Sequence, residues 1–554
     1  MTRQNWLCKG EPINRIIGGV TPILSRALNR RGITDEIKAW EFLHPQNGAL
    51  SNPFSLTDMD KATARIELAS KRGEKVCVYG DFDADGVSAT AIMTDCLRSM
   101  GLETVPYIPS RHSEGYGMNM DSVRRIASWG VKLIVTVDNG ISAIDEIYEC
   151  MRLNMDVVVL DHHKCHEQLP SCCAVVCTSR DGYQTRKNEL CGAGVALMAA
   201  LALIGEQAYR YLPLAALATV ADAVSITGEN RTIVARGMMN AADNLGLSCL
   251  MRAAGVLDCV VDETMLAYAL APRMNAAGRM GDAMCAVELL LCKDRIRAEQ
   301  IAKELDDRNT ARRQEEQRIM DECLSLTADK TVKGALILRG KDWNSGVIGI
   351  VASRLCERYG CPTVLLTQVE DGTLRGSGRS VEGVDLFDTL SKCSQHLIRF
   401  GGHCGAAGVS LQADRYDDFC AAFISQLVNR EYSFDYSYEE SITLDECTVD
   451  NARSLQSLAP FGSGNEEPVF LIEDCQILNV ASMGKDGKHL SMMINKEGRS
   501  ARVVAFNRGD MILEWSTFGR ADLLVRMREN VYKGNSSCQL ILVSIRKCFE
   551  SEKN

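Results

Sequence analysis

The 554-residue chain is informative first through what it lacks. It carries 23 cysteines but no C-x-x-C pair, which argues against a zinc ribbon or a thioredoxin-type redox site. The cysteines are scattered through apolar runs, the distribution of reduced, core-filling thiols. No stretch of consecutive apolar residues approaches the ~18 needed to span a bilayer. The longest, near residues 195–204, is about half that length. The N-terminal Met-Thr-Arg-Gln-Asn-Trp lacks the apolar core of a secretory signal, so a cytoplasmic protein is expected. Positive charge is not in excess either. With 62 basic and 72 acidic side chains the formal charge is −10, which excludes wholesale, histone-like binding of nucleic acid but not a local basic groove. An acidic excess also fits a site that gathers carboxylates around divalent metal.

What is present reads as a folded chain of three or four domains at ~100–200 residues each: 46% of residues are hydrophobic and 24% charged. Residues 1–50 are mixed, with a short helical pattern around 34–42. Apolar strands are expected at 76–79, 104–108, 133–137, 157–160 and 174–177. They alternate with helical segments, which implies βα units and a largely parallel sheet. Residues 190–290 read as helical and alanine-rich. A charged helix with a sparse apolar stripe over 298–324 is polar almost all round in its middle, as in helices that bridge domains, and the main boundary is expected there. A second α/β pattern covers 330–430: a strand at 335–338, a helix at 346–359 closed by Gly360 with Pro362 beyond, a strand at 363–367 and a glycine-rich hairpin at 375–380. From about 440 onward, short strands parted by turns at 485–487 and 495–498 suggest a small β-barrel or sandwich.

The sharpest chemical feature is Gly80-Asp81-Phe82-Asp83-Ala84-Asp85-Gly86, directly after an apolar strand. At the carboxyl end of a parallel strand, alternate aspartates project into the crevice where open α/β sheets bind ligands. Three carboxylates so close repel one another unless a cation lies among them, and hard oxygen donors point to Mg²⁺ or Mn²⁺. An EF-hand is disfavoured by the preceding strand and by the lack of a glutamate at loop position twelve. Two more strand ends repeat the theme with Asp138-Asn139-Gly140 and Asp161-His162-His163, the latter using two of only eight histidines. Asp222 ends a further apolar run.

In this order the segments resemble the DHH phosphoesterase superfamily and, within it, the RecJ family of single-strand-specific exonucleases. Also RecJ-like are Pro272-Arg273-Met274-Asn275-Ala276-Ala277-Gly278-Arg279, the segment from Gly346 to Leu355, Gly376-Ser377-Gly378-Arg379-Ser380, Gly401-Gly402-His403-Cys404-Gly405-Ala406-Ala407-Gly408 and Pro460-Phe461-Gly462-Ser463-Gly464-Asn465. There are two departures. Tyr79 stands where pyrophosphatase-like relatives carry a metal-binding histidine, and Asn344 stands where RecJ-like chains often place one.

The resemblance implies an α/β fold. A parallel-sheet DHH domain (51–295) would be joined by a linker helix (296–328) to a smaller α/β DHHA1 domain (329–432), followed by a β-rich OB-like barrel (440–550). It implies that Asp81, Asp83, Asp138, His162 and Asp222 hold two divalent metal ions, Mn²⁺ or Mg²⁺, with Asp138 as a bridge. Asp85 and His163 would be catalytic as ligands, orienting groups or substrate contacts, and Asp161 a ligand or a structural hydrogen-bond partner. Arg273, Asn275 and Arg279, read as a loop, would bind the phosphate backbone. Arg379, Ser380, Gly401, Gly402 and His403 would form an anion pocket, and Phe506 and Tyr532 are candidate stacking residues in the barrel.

The implied activity is hydrolysis of single-stranded DNA from the 5′ end to 5′-mononucleotides, in repair and recombination. A monomer working with a helicase and a single-strand-binding protein is expected. The alternatives are a nanoRNase or phosphatase of the same superfamily, which would be shorter and lack the OB-like tail, and a non-catalytic single-strand-binding relative, which would have lost metal carboxylates.

Overall fold

The computed structural model describes the chain apart from residues 1–2, 10–14, 112–113, 116, 166, 181–188, 329–331, 333, 370–371, 429, 431, 485 and 549–554. Lys485, in one expected turn, thus lies outside the described residues. Contacts group the chain into two compact units, Ala49–Ser433 and Arg3–Gly48 together with Phe434–Asn554. The division does not fall at the long helix, which lies within the first unit.

The first unit begins with five parallel strands: β1 (Val76–Tyr79), β2 (Thr104–Tyr107), β3 (Leu133–Val137), β4 (Asp156–Asp161) and β5 (Ala174–Cys177). Their order is β2-β1-β3-β4-β5, every pairing parallel. β1, β3 and β5 are buried along their whole length, as expected where helices cover both faces. The chain leaves β1 for β2 on one side, and β3 lies on the other. The crevice at this reversal is where open α/β sheets bind ligands.

Helix α1 (Ala84–Ser99) follows β1 and is buried almost all round. Next come α2 (Gly192–Ile204), a 3₁₀ segment (Gly205–Tyr211) and α3 (Leu212–Ala221). By length and composition the run Gly192–Ala221 is apolar enough to cross a membrane, with 56% of its 18-residue window buried inside the protein. This corrects the expectation that no segment approaches spanning length. Consecutive apolar residues undercount a helix whose polar residues, Glu206 and Arg210, fall in a short interruption.

Helix α4 (Ala271–Met280) contains Arg273, Asn275 and Arg279, which therefore lie on a helix and not in a loop. The helical path runs unbroken from Glu263 through a π-helical stretch (Leu266–Leu270) into α4, so Pro272 lies inside a longer helix, and its missing N–H falls next to the widened π turn. The 33-residue α5 (Arg295–Thr327) packs along α4 through Arg273–Asp306 at 2.8 Å. Its polar middle is not solvated all round, because Asn309 and Glu316 are buried.

Beyond α5 lie β6 (Leu336–Gly340), α6 (Ile348–Tyr359), β7 (Thr363–Gln368), β8 (Thr373–Arg379), β9 (Arg399–Gly402) and β10 (Ala406–Gln412). The sheet order is β9-β10-β8-β7-β6, parallel only between β6 and β7. The glycine-rich 375–380 segment is not a hairpin. Most of it is β8, the middle strand of this sheet, where Gly376 and Gly378 let Leu366, Val364 and Leu386 pack close.

In the second unit a closed barrel runs β11-β12-β13-β15-β14, formed by β11 (Phe470–Met483), β12 (His489–Lys496), β13 (Arg499–Ala505), β14 (Arg520–Tyr532) and β15 (Asn535–Lys547). Glu497 and Gly498 both take positive φ in the two-residue β12–β13 turn. The N-terminal segment belongs to this unit: Arg26 pairs with Glu440 and with Glu446 at 2.5 and 2.6 Å.

Candidate metal centre

Register brings the three acidic strand ends level at the reversal point. Tyr79 pairs with Thr136 and Val137 with Leu160, so Asp81, Asp138 and the Asp161–His163 segment emerge side by side. Asp83 caps α1, its Oδ1 accepting the N–H groups of Asp85 and Gly86, both at 3.0 Å. Asp85 points the other way. Its two oxygens accept the N–H groups of Gly192 and Ala193 at 2.7 Å each, at the N-terminus of α2, where the helix dipole favours an anion. Asp85 thus ties α1 to α2.

Asp138 sits in the left-handed region, with φ 60. Its backbone N–H donates to the Leu160 carbonyl at 3.0 Å. A Cβ on Gly192 would lie 2.5 Å from the Asp138 Cβ and 2.6 Å from its Oδ1, so only glycine fits there.

Three groups of donor atoms are close enough to share a cation: Asp81, Asp83 and Asp138; Asp138, His162 and His163; and Asp85, His162 and Asp222. Asp138 and His162 each belong to two of them, an arrangement suited to a pair of ions. His162 Nε2 lies 3.1 Å from Asp138 Oδ1 and 3.8 Å from Asp222 Oδ2. Asp81 Oδ1 and Asp138 Oδ1 are buried without a hydrogen bond from any of the described residues. Burial, then the Asp83 charge, pushes Asp81 up to about 8. Burial, then Asp85 and Asp83, pushes Asp222 up to about 7. Asp138 is raised by burial and by Asp85, Asp83 and Asp81. Such carboxylates call for a hard cation, so the donor set fits divalent metal.

Asp161 has a different environment. Its Oδ1 accepts from the backbone N–H of His162 at 2.7 Å and sits 2.8 Å from His163 Nδ1, and its Oδ2 accepts the Ile141 N–H at 3.0 Å. Burial pushes its pKa up, but these donors together hold it below the ordinary value. The same pair outweighs the burial of His163 and raises that imidazole to about 9. Asp161 braces the histidine segment. Tyr79 is equally structural, its hydroxyl donating to Gly117 O at 3.1 Å.

Of the expected phosphate contacts, Arg279 lies beside the metal groups, its NH1 donating to Gly346 O at 2.8 Å. Burial, then Arg111, Arg312 and Arg379, lowers it to about 10. Arg379 donates to Ser377 Oγ at 3.0 Å and to Gly378 O at 2.8 Å. Arg273 is held by Asp306, and Asn275 Oδ1 accepts the Ala84 N–H at 2.8 Å, bracing the start of α1. The Ser380 hydroxyl donates to Val384 O at 2.8 Å, and His403 Nδ1 accepts the Gly405 N–H at 3.2 Å, so both close turns. Gly401 lies on the wall of a groove of about 840 Å³ with Arg111, Ser345, Arg375, Arg399 and Phe400, and Gly402 is the last residue of the same strand.

Asn344 Oδ1 accepts the Gly346 N–H at 2.8 Å, a turn-closing role. Arg111, whose guanidinium lies 5.0 Å over the Phe82 ring and feels Asp81 and Asp83, is absent from the sequence-based set. Its position just beyond the carboxyl end of β2 was the available signal.

Three family models match in the same order: the DHH family N-terminal domain over residues 75–224, the DHHA1 domain over 331–429 and the RecJ OB domain over 438–544. The single-stranded-DNA-specific exonuclease RecJ of Bacillus subtilis is 34% identical over 531 residues, covering 94% of this chain and 68% of that protein. The chain belongs to the RecJ family. Among solved RecJ structures, that of Thermus thermophilus in complex with Mn²⁺ superimposes with a TM-score of 0.84 at 27% identity, over 99% of this chain and 80% of that one. The Mg²⁺ complex of the same RecJ gives a TM-score of 0.78 at 26% identity, over 99% and 79%. Both are complexes with the ions to which hard carboxylate donors point.

Proposed function

We propose that this protein is a single-stranded-DNA-specific 5′→3′ exonuclease that hydrolyses phosphodiesters to 5′-mononucleotides in the cytoplasm, in DNA repair and recombination. The observation that carries the reading is the carboxylate–histidine cluster at the sheet reversal, with the half-buried guanidinium groups of Arg111, Arg279 and Arg379 nearby. Asp81, Asp83 and Asp138 would hold one divalent ion, and Asp138, His162 and Asp222 a second, with Asp85 on α1, held by the N-terminus of α2, orienting the set. When bound, such a pair activates water and stabilises the leaving oxygen of an in-line displacement.

The chain's own groups do the rest. Asp161 keeps a proton on His163 Nδ1, which fixes the tautomer and orientation of that ring beside the cluster. Three arginines confined together repel one another, and a phosphate dianion relieves that repulsion while accepting their N–H groups. Recognition of the 5′-phosphate then falls to Arg111, Arg279 and Arg379 with Ser377, while Gly401 allows the backbone to approach the groove wall. Ser380, Gly402 and His403 support the same strands and turns. The groove, lined by Arg375, Arg399 and Phe400, suits a single strand. The barrel offers Phe506 and Tyr532, both exposed, as stacking surfaces. The protein acts as a monomer with a helicase and a single-strand-binding protein.

The test is digestion of strands labelled at either end, and of blunt duplex with and without a 5′ single-stranded tail, in Mn²⁺, Mg²⁺ or EDTA. Release of 5′-terminal mononucleotides, removal of the tail alone and silence in EDTA are expected. Release from the 3′ end first, or equal digestion of blunt duplex, overturns the reading.

A further inference from the structure

Two thiols lie directly against the histidine segment of the metal centre. Cys165 Sγ is 3.8 Å from Cys177 Sγ. Both contact the Ser179 hydroxyl, at 3.4 and 3.3 Å. Cys177 donates its S–H to the His163 carbonyl at 3.3 Å, and Ser179 donates its O–H to the same oxygen at 2.5 Å. Cys177 ends β5 in register with Asp161 on β4 and is 1% exposed, whereas Cys165 is half-buried. A thiol open to solvent therefore touches a sheltered one, and the sheltered one helps hold the His163 backbone. No step of the proposed hydrolysis uses either sulfur.

We propose that Cys165 and Cys177 form a peroxide-sensitive modification site whose disulfide disables the adjacent metal centre. The Cys165 sulfur attacks one oxygen of hydrogen peroxide, forming a sulfenic acid and releasing water. The Cys177 sulfur then displaces hydroxide from that sulfenic sulfur, and the departing hydroxide takes the remaining thiol proton as a second water. In sum, two thiols lose two electrons and two protons and one peroxide becomes two waters. The S–S bond of about 2.05 Å draws the sulfurs in from 3.8 Å. It also removes the S–H that the His163 carbonyl accepts. Both changes act on the segment that sets His162 Nε2 at 3.1 Å from Asp138 Oδ1, and metal-bound geometry tolerates little displacement.

The experiment treats the purified full chain with hydrogen peroxide, alkylates free thiols, digests it and reads the peptides by mass spectrometry, with exonuclease rate measured in parallel. The expected result is a Cys165–Cys177 cross-linked peptide lacking two hydrogens and a rate at least about tenfold lower, restored by dithiothreitol. Cys165→Ser should match wild type in reducing buffer and keep its rate after peroxide, and Cys165→Ala repeats that test without a hydroxyl. Free alkylated Cys165 and Cys177 after peroxide, a cross-linked protein with full rate, or equal inactivation of the Cys165 variants would overturn the proposal. The cross-link is read without substrate, so its failure is distinct from failure of the exonuclease reading.

Discussion

At the scale of single residues, the site depends on where a few side chains are forced to stand. Asp138 combines a left-handed backbone with a carboxylate oxygen that makes no hydrogen bond among the described residues and stands 3.1 Å from His162 Nε2, and Gly192 leaves it the space. The Cβ of Gly192→Ala would meet Asp138 at 2.5–2.6 Å, closer than carbon atoms approach, so Asp138 must move. A displacement near 1 Å costs about a hundredfold in rate. Steady-state assays should show that loss in kcat, while single-strand binding and cooperative melting survive.

The arginines give a second expectation. A charge-assisted contact is worth about 1.5–3 kcal/mol, so Arg279→Ala or Arg379→Ala should lower kcat/KM on 5′-phosphorylated strands about ten- to a hundredfold. The advantage of 5′-phosphate over 5′-hydroxyl ends should shrink with it. An unchanged ratio of initial rates on the two ends would remove end recognition from this cluster.

At the scale of elements, carboxylates at helix ends tie helices to one another and to the sheet. Asp85 ties α1 to α2, and Asp58 ties the helix Met59–Arg72 to β5. Asp58 receives Lys61 Nζ at 2.6 Å, Arg180 NH1 at 2.7 Å and the Val175 N–H at 3.4 Å. Burial raises the Asp58 pKa, but these donors outweigh it and hold the group below its ordinary value. A depressed carboxylate contributes stability that is present above its unfolded pKa of about 3.9 and is lost as pH falls through the lower folded value. Asp58→Asn should therefore cost about 1–2 kcal/mol near neutral pH, and progressively less as pH falls from about 3.9 through the lower folded value. Urea melts of both proteins across that range check it, and parallel stability curves would refute the tie.

At the scale of the whole molecule, metal binding and folding are linked. Carboxylates raised by burial and mutual repulsion destabilise the metal-free fold, and an ion that binds only the native state stabilises it by RT ln(1 + [L]/Kd), about 2.7 kcal/mol at a hundredfold excess over Kd. Mn²⁺ should therefore raise the melting temperature of the wild-type chain, and EDTA should reverse the rise. Asp81→Asn and Asp138→Ala should lose most of the shift. Thermal scans in the two conditions decide it, and an equal shift in the variants would place the ions elsewhere.

Much of this protein is legible locally. Strands β1, β3 and β4 are apolar runs that stop at aspartate, and a parallel strand covered on both faces has no other way to be written. The carboxylates and histidines at their ends could therefore be picked out without coordinates, and so could the Gly360 stop of α6 and the barrel of the last third. Other features depend on partners far along the chain. Arg273, Asn275 and Arg279 look like a loop in a run of small residues, yet they continue a helix begun at Glu263, whose arginine finds Asp306 and whose asparagine finds Ala84. The glycines of 375–380 look like a turn, yet Leu365 and Leu366 approach them from β7. The N-terminal segment gives no local sign that Arg26 reaches Glu440 and Glu446.

Apolar periodicity and strand-end chemistry are properties of neighbouring residues, so the sequence by itself determined the parallel strands and the acidic and histidine-bearing strand ends. Which arginines stand near the acidic cluster, why residue 192 must be glycine and which thiols touch were decided only by the tertiary structure. Those contacts join residues separated by tens to hundreds of positions, and only packing brings them within reach.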